Sequence, residues 1–265
     1  MKTIFRFLGR TATAFLATVG VLAAFGLLIG LMEQRTQRLL LSAFGWMGVV
    51  VTGLVGTPVH ELGHYLGCRI FGLRVTEMAL FRPVAGRIDG VLGYVGFTYD
   101  TGSVWQRLGC FFAGVAPLLF GTAVILLLVW LLTPEVYRSA SGAVSTALRK
   151  TRNPLRVAAA AAGGYLRGFG SLRGFGVVRG MLSLYLICSV SMHMSLSMAD
   201  LQGASAGVLL ILLACGLFSA VTMLVRIDVR KALARTASVL SLLLGTGLLF
   251  CLLCAGLSYL MTRIF

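Results

Sequence analysis

The sequence predicts an all-α membrane protein: a polytopic bundle of about six transmembrane helices with one small β-hairpin-like segment. Three observations predict it. Apolar residues make up 58% of the 265 positions and charged residues only 12%, against roughly 25% charged in an average soluble domain. Several uncharged apolar runs approach or exceed the roughly 20 residues that a helix needs to cross the hydrocarbon layer. One stretch between the second and third runs breaks this pattern with closely spaced glycines and β-formers.

Thr11–Met32 is the first run. It follows Lys2, Arg6 and Arg10 as a signal peptide would, but it is longer than the usual apolar core of one and reads as an uncleaved span. Leu39–Val59 is the second, with apolar character continuing to Phe71. Leu108–Leu132, Met181–Met198, Ala206–Val225 and Thr236–Met261 are the remaining four. The chain reads as one integral membrane domain over 1–265, a core of about 39–207 with accessory spans at about 11–32, 206–225 and 236–261.

Two connections are long. Gly72–Arg107 places Val, Thr, Tyr and Phe between Pro83, Gly86, Gly90, Gly93 and Gly96, punctuation that predicts a hairpin lying against the bundle. Thr133–Gly180 carries eight Lys and Arg against Glu135 alone and repeats Leu-Arg-Gly-Phe-Gly at 166–170 and 172–176. It is expected to be a flexible, headgroup-contacting linker.

The net charge is +15, from 23 Lys and Arg against 8 Asp and Glu. In a membrane chain such basic residues sit at helix ends beside anionic lipids, so membrane lipids are expected partners. No nucleic-acid partner is expected, because no reading module is present. The six cysteines lie in or beside apolar segments and read as small packing residues. Even Cys251-x-x-Cys254 has no charged neighbour to lower a thiol pKa.

Ionisable groups inside a membrane are costly, which makes each one a candidate for function. The first, third, fifth and sixth runs contain none. His60, Glu61 and His64 lie in or beside the second, and His193 and Asp200 lie near the end of the fourth. These are the chain's only three histidines. His60-Glu61-Leu62-Gly63-His64 is an H-E-x-x-H motif. On a helix, i and i+4 share a face, so both imidazoles reach one Zn²⁺. Glu61, beside the first ligand, is placed to deprotonate the attacking water rather than bind metal, which is peptide-hydrolysis chemistry. Thr57-Pro58 is expected to kink or restart the helix, with Thr57 as cap and Pro58 as first residue.

A catalytic zinc site needs a third protein ligand. The candidates are His193 and Asp200. Seven residues of continuous helix separate them by about 10 Å along the axis, so one ion takes only one of them. Asp200 is favoured, because a carboxylate offsets the cation's charge and Gly203 allows the fourth helix to end there. His193 then reads as a hydrogen-bonding or oxyanion-stabilising residue.

HELGH at 60–64 in a membrane span, with a distant Asp200-x-x-Gly203 and an intervening Gly114-Val115-Ala116-Pro117, resembles the site-2 protease family of intramembrane zinc metalloproteases. The resemblance covers roughly 57–207. It implies zinc on His60, His64 and Asp200, Glu61 as base, transmembrane helices as substrate, and a hairpin at 72–107. The usual Asp-Gly pair is here Asp200-Leu201-Gln202-Gly203, the Asn-Pro sequence before the aspartate is absent, and no regulatory domain interrupts the core. The chain thus resembles a divergent, minimal member.

The expected function is an intramembrane zinc endopeptidase in a multi-pass protein of the cell membrane. The alternatives are a non-catalytic scaffold or binding protein stapled by a structural zinc, and a metal or proton transporter. An intact Glu61 favours the endopeptidase over the scaffold. The lack of charged residues in four of the runs disfavours the transporter. The family arrangement and the positive-inside rule point to opposite orientations.

Overall fold

The computed structural model describes residues 1–151 and 153–264. It is a helical bundle with a single two-stranded sheet among these residues. The elements are α1 (Lys2–Phe15), a π-helical turn (Leu16–Gly20), α2 (Val21–Phe44), α3 (Trp46–Phe71), β1 (Arg74–Ala79), α4 (Pro83–Asp89), β2 (Tyr94–Thr98), α5 (Val104–Leu132), α6 (Pro134–Lys150), α7 (Pro154–Gly170), α8 (Phe175–Ser191), α9 (Met198–Leu224) and α10 (Arg230–Ile264).

Four helices are long and apolar enough to cross a membrane: Thr3–Phe44, Val104–Leu132, Ala199–Leu224 and Arg230–Arg263. Two of the six expected runs, the second and the fourth, are not among these four, for identifiable reasons. The first run continues to Phe44, so Leu39–Phe44 belongs to α2 rather than to a second span. The break falls at Gly45, whose φ of +61° is accessible to glycine at little cost. α3 is long, but its Gly, Thr, Pro, His and Glu residues dilute its apolar character. α8 ends at Ser191, short of Met198, leaving an apolar helix of 17 residues.

α3 runs unbroken through Pro58, so no restart occurs there. Contacts on both sides hold it helical: the Gly56 N–H donates to Ser189 Oγ at 2.9 Å, and Gly63 lies against the Pro117 backbone. α3 ends at Gly72 (φ +70°), with the Leu73 N–H returning to the Cys68 carbonyl.

The expected hairpin is present. β1 and β2 pair antiparallel from Arg74↔Thr98 to Ala79↔Tyr94, with an irregularity at Thr76, and α4 fills the connection. At its tip, the Val91 N–H and the Arg82 guanidinium hold the Asp89 carboxyl below the usual carboxylate range. The expected linker at 133–180 is instead built around a helical hairpin. Small residues allow α6 and α7 to touch, with Gly164 against Ala140 and Gly168 against Val136, and Ser139 Oγ donates to the Gly164 carbonyl at 2.8 Å. Pro134 and Pro154 start the two helices, where a missing N–H costs nothing. The first Leu-Arg-Gly-Phe-Gly repeat closes α7, and the second turns the chain into α8.

The core joins α2, α5, α8 and α10 through Ile29, Leu118, Ile125, Ile187 and Leu244, all fully buried. Met194, from the 192–197 connection, is buried in the same core.

Candidate metal centre

His60 and His64 stand one turn apart on α3, and their Nε2 atoms are 3.0 Å apart. Asp200 Oδ1 lies 3.0 Å from His64 Nε2. All three ligand atoms fall within 4.8 Å of one another. The other ring nitrogens fix the tautomers. His60 Nδ1 lies 2.6 Å from the His193 carbonyl, and His64 Nδ1 lies 2.8 Å from the Ala113 carbonyl. A carbonyl only accepts, so each Nδ1 carries the proton and each Nε2 turns a lone pair inward.

Two imine lone pairs and a carboxylate oxygen therefore face one another. A proton on His64 would satisfy Asp200 or His60, but not both. A metal ion satisfies all three. A tetrahedral ion with ligands at about 2.0–2.1 Å separates them by about 3.3 Å, near the 3.0 Å found here. The His60, His64 and Asp200 group can hold a metal ion.

Asp200 is positioned by its helix start. Ser197 caps α9: its Oγ accepts from the Asp200 N–H at 3.1 Å, and its own N–H donates to Asp200 Oδ2 at 2.7 Å. This reciprocal box leaves Oδ1 for the histidines. Asp200 thus opens α9, the helix of the fifth expected span, rather than closing the fourth, and Gly203 lies within that helix. The chain breaks helix between Ser191 and Met198, so the 10 Å axial spacing expected between His193 and Asp200 does not apply.

His193 is buried and its ring does not join the cluster. The ring's Nδ1 lies 2.9 Å from the Ser189 carbonyl, and its Nε2 has no hydrogen-bond partner. Its backbone carbonyl, not its ring, reaches the site.

The 114–117 segment of α5 lies against the cluster. A Cβ on Gly114 would come within 2.8 Å of the Asp200 carbonyl oxygen, one on Gly63 within 2.9 Å of Pro117 Cα, and one on Gly67 within 2.8 Å of Ala113 Cα. Small residues let α3, α5 and α9 meet at backbone distance. Glu61 is buried on the hairpin side, where a Cβ on Gly93 would come within 2.8 Å of its Cγ. No donor among the described residues hydrogen-bonds its carboxylate, and it stands outside the three-ligand group.

Several supports of the site have no motif. Ser189 Oγ joins α8 to α3, accepting from the Gly56 N–H and donating to the Thr52 carbonyl. Glu33 of α2 accepts from Gln37 Nε2 at 2.9 Å through Oε1, while its buried Oε2 has no hydrogen-bond partner among the described residues; Ser195 lies beside α2, 3.5 Å from where a Cβ on Gly30 would stand. Beside it, Leu196 fits the notch at Gly26, and Met194 fits the notch at Gly121. The accessory helix α2 thus seats the connection that carries the His193 carbonyl and the Ser197 cap. The available signal for Glu33 was a lone acid directly after the first apolar run.

No protein-family model, curated protein or solved structure matches the chain.

Proposed function

We propose that this chain is a membrane-embedded zinc-dependent endopeptidase of the site-2 protease type, multi-pass in the cell membrane, that cleaves membrane-spanning segments of other proteins. One observation carries the reading: three inward lone-pair donors, on His60, His64 and Asp200, converge, and the next residue of α3, Glu61, is buried with no hydrogen-bond donor among the described residues on its carboxylate. A structural metal site would need only the first half of that arrangement.

His60, His64 and Asp200 are the residues that would hold zinc, with the His193 and Ala113 carbonyls fixing the two rings. A bound zinc supplies Lewis-acid polarisation and brings the pKa of a water to roughly 7. Glu61 takes the proton of the attacking water and returns it to the leaving amine nitrogen. Glu61 is buried beside Gly93, on the hairpin side of α3. A membrane-helix substrate hides its carbonyls in hydrogen bonds and must unwind locally before attack.

The test is cleavage of a reconstituted membrane-helix substrate by the wild type and by Glu61→Gln, with metal content measured on both. The reading predicts equal metal and a fall in cleavage of at least about 10²-fold, the lower end for a positioned base. Undiminished cleavage by the metal-loaded variant removes Glu61 from the chemistry. Absence of cleavage by the metal-loaded wild type, across a panel of such helices, reassigns the cluster to a structural staple between α3 and α9.

A further inference from the structure

A cleft of about 1060 Å³, lined by none of the metal-centre residues, opens between α1 and the start of α10. α10 packs along α2 and the π-helical turn but parts from α1. The walls are apolar, with Phe5, Leu16 and Val21 on one side and Val229 and Leu233 on the other. The small side chains of Ala17, Ala234 and Ala237 leave its floor open.

Its mouth is cationic. Arg6 and Arg10 stand one turn apart on α1, and Arg230 stands across the cleft at the start of α10. Like charges at i and i+4 repel, yet no carboxylate among the described residues pairs with any of the three. Arg10 donates to the Ile227 carbonyl at 3.4 Å, which ties it to the rim. The nearest acid in sequence, Asp228, spends one oxygen on the Arg230 backbone N–H. The cluster lacks an anion.

The dimensions select its class. From Arg10 to Val21, eleven residues that include the π-helical turn extend at most about 16 Å at the α-helical rise, close to half of a roughly 30 Å hydrocarbon layer. Guanidiniums at the mouth and an apolar channel one leaflet deep match a phosphate headgroup with its acyl chain. We propose that this cleft is a binding site for one anionic phospholipid, its phosphate held by Arg6, Arg10 and Arg230 and an acyl chain laid between α1 and α10. The proposal is independent of the metal centre and of any catalysis.

The experiment uses the full chain, delipidated in detergent and titrated with phosphatidylglycerol or phosphatidylcholine of the same chains, with bound lipid read by native mass spectrometry. The expected result is one phosphatidylglycerol per chain, bound at least tenfold tighter than phosphatidylcholine. The combined Arg6→Gln, Arg10→Gln and Arg230→Gln variant loses that preference. Arg149→Gln with Lys150→Gln, on α6, keeps it. Ala17→Trp with Ala234→Trp fills the floor and weakens binding of both lipids with the arginines intact, which covers the case of a triple variant that fails to fold. Millimolar inorganic phosphate leaves the bound lipid in place. An unchanged preference in the triple variant, equal loss in the α6 control, or displacement by phosphate alone each overturns the proposal. Metal content, measured on the same samples, stays constant throughout.

Discussion

The backbone carbonyl of His193 accepts the Nδ1–H of His60 at 2.6 Å, so a residue whose ring stands outside the cluster sets the direction of one of its ligands. Asp200 and His193 therefore contribute by different atoms, and their side chains are separable by mutation. Asp200→Ala removes a ligand and is expected to weaken metal binding by more than about 100-fold, beyond the 10–100-fold typical of an outer partner. His193→Ala keeps the carbonyl and is expected to retain the metal. Elemental analysis of both variants in the same detergent checks this; the reverse pattern would assign the third ligand to His193.

Ser197 holds Asp200 through the cap of α9. Ser197→Ala is expected to cost about 1 kcal/mol of stability, the typical value of a lost N-cap, and to weaken metal affinity by loosening the Asp200 carboxylate. Ser197→Thr keeps the hydroxyl and is expected to restore both. Thermal unfolding and metal titration on the two variants separate the cap's contribution from a general packing loss.

Gly56 lies where α3 and α8 touch. A Cβ there would overlap the Ser189 carbonyl and come within 2.6 Å of His193 Nδ1. Gly56→Ala is expected to destabilise by about 1–3 kcal/mol or more, as overpacking does, and to loosen metal binding by moving the His193 carbonyl off His60. Gly142→Ala on α6 meets nothing within 4 Å and is expected to be neutral or slightly stabilising through helix propensity. Unfolding midpoints of the pair provide the check.

Glu33 accepts from Gln37 and lies near Ser195. Glu33→Leu leaves Gln37 Nε2 without its acceptor and is expected to cost about 1 kcal/mol. Glu33→Gln keeps a hydrogen-bonding group of the same length and is expected to lose less. Stability and metal retention measured together show whether the 192–197 connection depends on this residue; equal behaviour of the Leu variant and the wild type would remove Glu33 from that role.

The candidate cluster was legible because a helix turns i and i+4 to one face, a rule that needs no tertiary information, and because buried charge requires a reason. His60, His64 and Asp200 lie together as a group that could hold a metal ion. The hairpin was legible from its glycine punctuation. Element boundaries were less so, because hydropathy alone does not distinguish a helix that continues from one that breaks. Gly45 ends α2 inside an apolar run, and Ser191 ends α8 before one is exhausted. The α6–α7 hairpin escaped notice because its arginines dominate the composition, while small residues such as Gly164 and Gly168 make its contacts. Carbonyl acceptors such as those of Ala113 and His193 have no sequence signature, since every residue carries one.

The most direct measurement is the zinc K-edge absorption spectrum of the purified, zinc-loaded chain. The arrangement of His60, His64 and Asp200 predicts one ion with a four-coordinate shell of nitrogen and oxygen at about 2.0–2.1 Å, two of the ligands imidazoles. The shell is expected to be unchanged in Glu61→Gln and lost in His60→Ala with His64→Ala. Sulfur in the shell, or the same spectrum from the double-alanine variant, would place the metal elsewhere in the chain and contradict the account.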